Sequence, residues 1–394
     1  MSIGVIIKQY LKTVLQKTLL PVCYNLSKKK NTDPKLVILA DSNCSDTPES
    51  MLCMKEELLN RGCSVKEMYL DFSRSGIGSV MKFMTDFMKA YANAGAVFIC
   101  NYFVPVTACK KRKETTVVQL WHGCGCMKKF GYDSPDDISP HYKGNAAGNF
   151  DIVTVSGQAC VKPFQSAFRL PEGRVLPLGV SRTDMFFKKD FSEDCKREFY
   201  EKYPEYKGRK ILLYAPTFRG NASEAYCVGE EYILKLREQL GDGWAVIIKM
   251  HPRLKSGLTN CDIATNRLFP VADVLVTDYS SLIFEYSLFK KPAVFFVPDL
   301  EEYRGKRSFY LNYEKEMYGE TVTEGKELYG AVLRAEESFD IGRAESFAAK
   351  YMSACDGNSS ARIADNALLT MHNAQCTMHN FGRSTQTGGK TASK

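Results

Sequence analysis

The sequence predicts an α/β protein of two doubly wound domains, each a parallel sheet wrapped by helices, facing a central cleft. Short apolar runs alternate with helical patterns along most of the chain, which implies parallel strands with helical crossovers. The alternation occurs in two sets, separated by a break near Leu178–Glu205. The segment Val274–Glu285 reads as a buried β-branched strand, a turn at Asp278, and a helix beginning at Ser280 and Ser281.

Taken in order, the first 30 residues carry apolar side chains at Ile3, Ile7, Leu11, Val14, Leu15 and Leu19. Lys8, Lys12 and Lys17 lie largely off that stripe, and Lys28, Lys29 and Lys30 follow. This pattern fits first a helix packed on a core, as most amphipathic helices are, and second a basic amphipathic helix at a membrane interface. Residues 31–185 form the first domain, with strands over Leu36–Ala40, Ala96–Cys100, Thr116–Leu120 and Asp151–Val155. Helices fit around Glu49–Asn60, Val80–Asn93 and Lys162–Phe168. Residues 186–355 form the second domain. Its strands are Ile211–Ala215, Ala245–Lys249, Val274–Thr277 and Ala293–Val297, with helices at Glu230–Leu240, Ser281–Phe289, Lys326–Glu337 and Ala344–Met352. Residues 356–394 read as a short helix and a polar tail, without structure from about Asn373.

Composition bounds the function. The chain has 394 residues, enough for two full cores. Its 44% hydrophobic and 25% charged residues are ordinary for a globular protein, and no apolar run is long enough to span a membrane. A net charge of +8 favours anionic partners, while nucleic-acid-binding motifs are lacking. The 14 cysteines follow no disulfide framework and read as reduced, core-filling thiols of a cytosolic protein. Cys124 and Cys126 lack the partner pair that a zinc site needs, so no metal centre is expected.

The chemistry-bearing residues cluster at strand exits, where open α/β sheets hold ligands. Trp121-His122-Gly123 leaves the strand at Thr116–Leu120, with Lys128 and Lys129 just beyond. A histidine there suits a general base near neutral pH. Thr217 and Arg219 follow the first strand of the second half, and arginine matches phosphate oxygens with two parallel hydrogen bonds. Lys249 and His251 leave the next strand two residues apart, on one side of it. Asp278, Ser280 and Ser281 open a helix whose first backbone N–H groups suit a phosphate. Asp299, Glu301 and Glu302, with Arg304, Lys306 and Arg307, follow the last strand. All four second-half loops should meet on one rim, as a nucleotide diphosphate would require.

These motifs in this order resemble the CDP-glycerol glycerophosphotransferases, the teichoic acid primases and polymerases. The resemblance covers roughly Thr116 to Leu328. It is carried by Trp121-His122-Gly123 with Lys128-Lys129, Ala215–Arg219, Lys249–Pro252, Ala272–Glu285, and Lys291-Pro292 with Phe296–Tyr303. It implies a GT-B-like fold of two Rossmann-like domains. The implied reaction moves a polyol phosphate from a CDP-activated donor, CDP-glycerol first and CDP-ribitol second, to a hydroxyl of a lipid-linked or polymeric acceptor, releasing CMP. By position, His122 matches the family's base and His251 its second histidine. Thr217, Arg219, Lys249, Asp278, Ser280, Ser281 and Glu285 fall on the donor side. Trp121, Gly123, Lys128, Lys129, Arg182 and Asp184 fall on the acceptor side. No cofactor is required, with Mg2+ as an optional aid.

The chain departs from the pattern at Cys124-Gly125, where Thr-Pro is usual. It departs again at Ser181 of Gly179–Asp184, where Pro is usual, and at Glu320 after Gly319. A lipid-linked acceptor favours the anchoring role for residues 1–30, on an anionic membrane at the cell's inner face. The rival readings are a nucleotide-sugar glycosyltransferase or epimerase of the same fold, and a non-catalytic nucleotide-binding scaffold.

Overall fold

The computed structural model describes residues 3–386 apart from 135, 136, 140, 221–224, 252, 253, 255, 256 and 307. Two parallel sheets organise it. The first holds β1 (Asp33–Asp41), β2 (Ser64–Tyr69), β3 (Ala94–Ile99), β4 (Thr116–Gln119), β5 (Ile152–Thr154) and β6 (Val175–Leu176), in the order β2-β1-β3-β4-β5-β6. The second holds β7 (Lys210–Tyr214), β8 (Trp244–Ile248), β9 (Val274–Thr277), β10 (Ala293–Phe296) and β11 (Glu320–Val322), in the order β11-β10-β9-β7-β8. Strands β3, β4, β8, β9 and β10 are buried along their whole length, which explains why their sequences are mostly apolar.

Three strands escape the sequence reading. β2 is an edge strand whose Ser64, Lys66 and Glu67 face solvent. β6 and β11 are sheet edges of two and three residues. Short or polar edges carry little apolar signal.

The C-terminal segment differs from expectation. A single helix runs from Ser359 to Gln386. Its residues Ile363, Ala364 and Ala367 bury against Val37, Leu39, Phe98 and Val118, so the helix returns to the first domain. Nothing between Asn373 and Gln386 is a proline, so the backbone bonds continue past the packed turns; residues 387–394 lie outside the described residues.

At the other end, helices Ile3–Lys17 and Leu19–Leu26 sit on the first domain in an unusual orientation. Polar Thr13 and Gln16 face inward with Leu20 and Tyr24. Gln16 donates to Thr107 Oγ1 at 2.7 Å and to the Asn145 carbonyl at 2.6 Å, and accepts from Tyr142 at 2.5 Å. Tyr10, Leu11, Val14, Leu19, Val22 and Leu26 remain exposed, Leu26 at 84%. Among the described residues no helix is long and apolar enough to cross a membrane.

Candidate active site

β4 ends in the first domain's catalytic-looking loop. Trp121 adopts a left-handed backbone, φ +59°, which costs a non-glycine residue about 1–3 kcal/mol. Its surroundings hold it there. Its N–H donates to Gln119 Oε1 at 2.9 Å, and its indole packs edge-on to Tyr102, Phe164 and Phe168 and tilted against Phe130. The turn swings His122 out of the strand, its ring 4.4 Å from the indole. His122 Nδ1 lies 3.3 Å from the Cys100 carbonyl. A carbonyl only accepts, so Nδ1 carries the proton and Nε2 the free lone pair. His122 is exposed as a residue, yet protein surrounds its ring closely enough to desolvate it. That desolvation holds the imidazole below its usual pKa against the opposing Cys100 hydrogen bond, and the Arg182 charge adds to it.

The second domain's strand exits are tied by one buried cation. Arg219 grips Asp299 with Nε and Nη2 at 2.7 and 3.0 Å, and its Nη1 reaches Asp278 at 2.8 Å and the Thr217 carbonyl at 2.8 Å. The guanidinium also lies over the rings of Tyr279 and Tyr303, at 4.8 and 4.9 Å. Burial pushes the Asp299 carboxyl up, but Arg219's hydrogen bonds and charge outweigh it and hold it low. Expected to grip phosphate, Arg219 is instead saturated by two carboxylates. Asp278 is likewise occupied, accepting from the Thr217 N–H at 2.8 Å. Thr217 Oγ1, by contrast, is buried with no hydrogen-bond partner among the described residues, a polar atom suited to an incoming oxygen.

Lys249 Nζ donates to the Cys261 carbonyl at 2.8 Å, and the His251 ring lies 4.6 Å from Phe218. Ser280 and Ser281 lead into the six-residue helix Leu282–Ser287, with Ser281 exposed. A Cβ added at Gly123 would stand 3.5 Å from Ser281 Oγ, so the histidine loop and the serine turn share one cleft.

Two more clasps close the halves. Lys128 bridges Phe309 in antiparallel fashion, Lys129 N–H donates to the Ser308 carbonyl at 2.9 Å, and Tyr310 N–H to the Met127 carbonyl at 2.8 Å. Arg182 joins the His122 carbonyl at 3.0 Å to Glu285 at 2.8 Å. Glu285 thus belongs to the interdomain seam, buried on Arg182, rather than to the open donor rim. Asp184 is also structural: both carboxylate oxygens accept from the N–H groups of Ser359 and Ser360, capping the last helix where its dipole favours an anion. Cys124 and Cys126 are buried thiols, and among the described residues no group of three or more His, Cys, Asp or Glu could hold a metal. Sequence reasoning missed Asp41 at the end of β1. It accepts from Asn101 at 2.7 Å and from the Cys100 thiol at 3.2 Å. An acid at a strand's carboxyl end was the available signal.

The chain matches, over residues 22–369, the family described as CDP-glycerol:poly(glycerophosphate) glycerophosphotransferase. The chain belongs to that family. It is therefore a transferase of teichoic-acid-type synthesis. Among its relatives, the teichoic acid ribitol-phosphate primase of Bacillus spizizenii is 36% identical over 70% of this chain and 75% of its own length. The glycerol-phosphate primase of Bacillus subtilis is 28% identical over 69% and 72%. The poly(ribitol-phosphate) polymerase of Bacillus spizizenii is 31% identical over 84% of this chain, which spans 55% of that longer protein. A structure of the wall teichoic acid polymerase TagF superposes with a TM-score of 0.70 at 21% identity, covering 93% of this chain and 98% of that one. The chain thus has the expected GT-B-like fold. The same fold extends to a UDP-GlcNAc 2-epimerase of Neisseria meningitidis, with a TM-score of 0.51 at 12% identity over 85% of this chain and 99% of that one.

Proposed function

We propose that the chain transfers a polyol phosphate from a CDP-activated donor to a hydroxyl of a lipid-linked acceptor, with His122 as base. The observation that carries this is the pinned imidazole: Nδ1 held by the Cys100 carbonyl, Nε2 basic, in a loop lying against Ser281. Nε2 takes the acceptor hydroxyl's proton, and the oxygen attacks the phosphorus that bears the polyol. The new P–O ester forms as the bond to CMP breaks, and the proton leaves from the imidazole to solvent. Thr217, Ser280 and Ser281 supply hydrogen bonds to the donor phosphates, Lys249 and His251 positive charge or a proton near the leaving group. Lys128 and Lys129 line the acceptor approach.

Ribitol phosphate is favoured over glycerol phosphate by the higher identity to the ribitol-phosphate primase, 36% against 28%. The lipid-linked acceptor fits the outward apolar face of residues 10–26, with exposed Lys28, Lys29 and Lys30 beside it, as a dock on an anionic inner membrane surface. CMP release by purified protein, offered CDP-ribitol or CDP-glycerol with and without a lipid-linked primer, tests the reading. Release that requires both donor and primer supports it and names the polyol; none with either donor refutes it.

A further inference from the structure

Arg182 stands on the segment Ser181–Phe187 that joins the two domains. Its Nη1 donates to the main-chain carbonyl of His122 at 3.0 Å. Its Nη2 donates to Glu285 at 2.8 Å, with Glu49 further off at 3.9 Å. Glu285 sits one turn into the helix that follows Ser280 and Ser281, and its side chain is only 3% exposed. One guanidinium therefore ties the domain linker, the base-bearing loop and the donor-side helix together. Only arginine does this readily, because its planar fork offers fixed donors in several directions and never loses its charge.

We infer that Arg182 is the positioning residue of His122, and that Glu285 sets how much positive charge Arg182 presents to the imidazole. The inference rests on His122 being the base of the transfer. Holding the His122 carbonyl fixes the backbone from which the ring projects, so the ring keeps both its Cys100 hydrogen bond and its tilted contact with Trp121. The groups acting on the imidazole are Arg182 and burial on one side, and Asp41, Asp137 and the Cys100 carbonyl on the other. The first set disfavours the imidazolium; the second favours it. Glu285 itself is pushed up by burial and drawn back by Arg182, so the two charges depend on each other.

Substitutions at the two ends should then move His122 in opposite directions. Glu285→Gln keeps the shape but leaves the arginine uncompensated, so the imidazole becomes harder to protonate. Arg182→Met removes the cation, and the imidazole becomes easier to protonate. The experiment is a proton NMR titration of the His122 ring in the intact chain, its signal assigned by loss in His122→Ala, alongside pH profiles of kcat/KM. Expected are a His122 titration and acid limb moved to lower pH in Glu285→Gln and to higher pH in Arg182→Met. In Arg182→Met kcat should fall about tenfold to a hundredfold, with the CDP-donor KM little changed, as for a misplaced catalytic group. Arg182→Lys should recover part of that kcat. Unmoved titrations, or shifts of the same sign, overturn the inference. Should Arg182→Met not fold, the isosteric Glu285→Gln decides alone. The ring titration needs no turnover, so it remains decisive even where His122→Ala retains activity, an outcome that would sink the base assignment instead.

Discussion

Gly123 and Ser281 lie against each other across the cleft, close enough that a methyl group on Gly123 would touch the Ser281 hydroxyl at 3.5 Å. Two residues on, Gly125 has φ +69°, and a methyl group there would fall 2.3 Å from the ring of Phe284. The first distance is ordinary contact; the second is a collision at a left-handed backbone. Gly123→Ala should therefore melt near the wild-type temperature. Gly125→Ala should lose about 1–3 kcal/mol of stability, through overpacking and an unfavourable φ. Thermal unfolding of the two variants checks the contrast.

His122→Ala should lower turnover about 10²- to 10⁴-fold, the usual contribution of a positioned base, and leave CDP-donor binding near normal. The pH profile carries a second expectation. A base works when unprotonated, and burial holds this imidazole below the ordinary histidine value. Activity should thus persist on the acid side of where a solvent-exposed histidine would already be protonated. Turnover against pH, set beside calorimetric donor binding, measures both.

Arg219→Met should unfold or strongly destabilise the protein rather than selectively weaken donor binding. The guanidinium is 6% exposed and bonded to Asp278 and Asp299, both nearly buried. Removing one partner of such a network leaves two uncompensated carboxylates, typically a loss of about 3–5 kcal/mol. Urea unfolding distinguishes this from a phosphate-binding role, which would reduce donor affinity at unchanged stability.

The difference between Arg219 as read and Arg219 as found shows where sequence stops. Strands such as Val274–Thr277 are legible because both faces are buried and the run Val274-Leu275-Val276 is apolar. The strand-exit rule then places Thr217, Lys249, His251 and Asp278 near one rim. Which of them are already spoken for is invisible, because the partners lie far along the chain. Asp299 is 80 residues from Arg219, and Ser359 is 175 from Asp184. Periodicity reports a residue's face, not the charge opposite it. The same limit hid the orientation of the first helices, whose polar Gln16 is the inward residue.

Ser280→Ala combined with Ser281→Ala should weaken CDP-donor binding while leaving the fold intact. Ser280 is half-buried and Ser281 exposed, and the bond from the Leu282 N–H to Ser280 Oγ, at 3.5 Å, is long. A lost hydrogen bond to a charged phosphate is worth about 1.5–3 kcal/mol, roughly a tenfold or greater rise in Kd. Titration calorimetry with the CDP-donor reads it directly, and unchanged affinity would remove these serines from the donor site.

Membrane docking is best tested by substitution rather than truncation. Deleting residues 1–30 would also strip Gln16 from Thr107 and Asn145, and Tyr24 from its tilted ring contact with Tyr91 at 5.2 Å. Loss of binding would then be confounded with damage to the first domain. Leu11→Glu with Val22→Glu alters only outward side chains, exposed at 57% and 54%. Each apolar side chain of this size contributes about 1.5–3 kcal/mol when fully removed from water, so two acids in their place should abolish a peripheral attachment. The expected result is wild-type melting, loss of co-sedimentation with anionic vesicles, and retained CMP release with a short water-soluble acceptor. Co-sedimentation equal to wild type would mean that this face does not meet the bilayer.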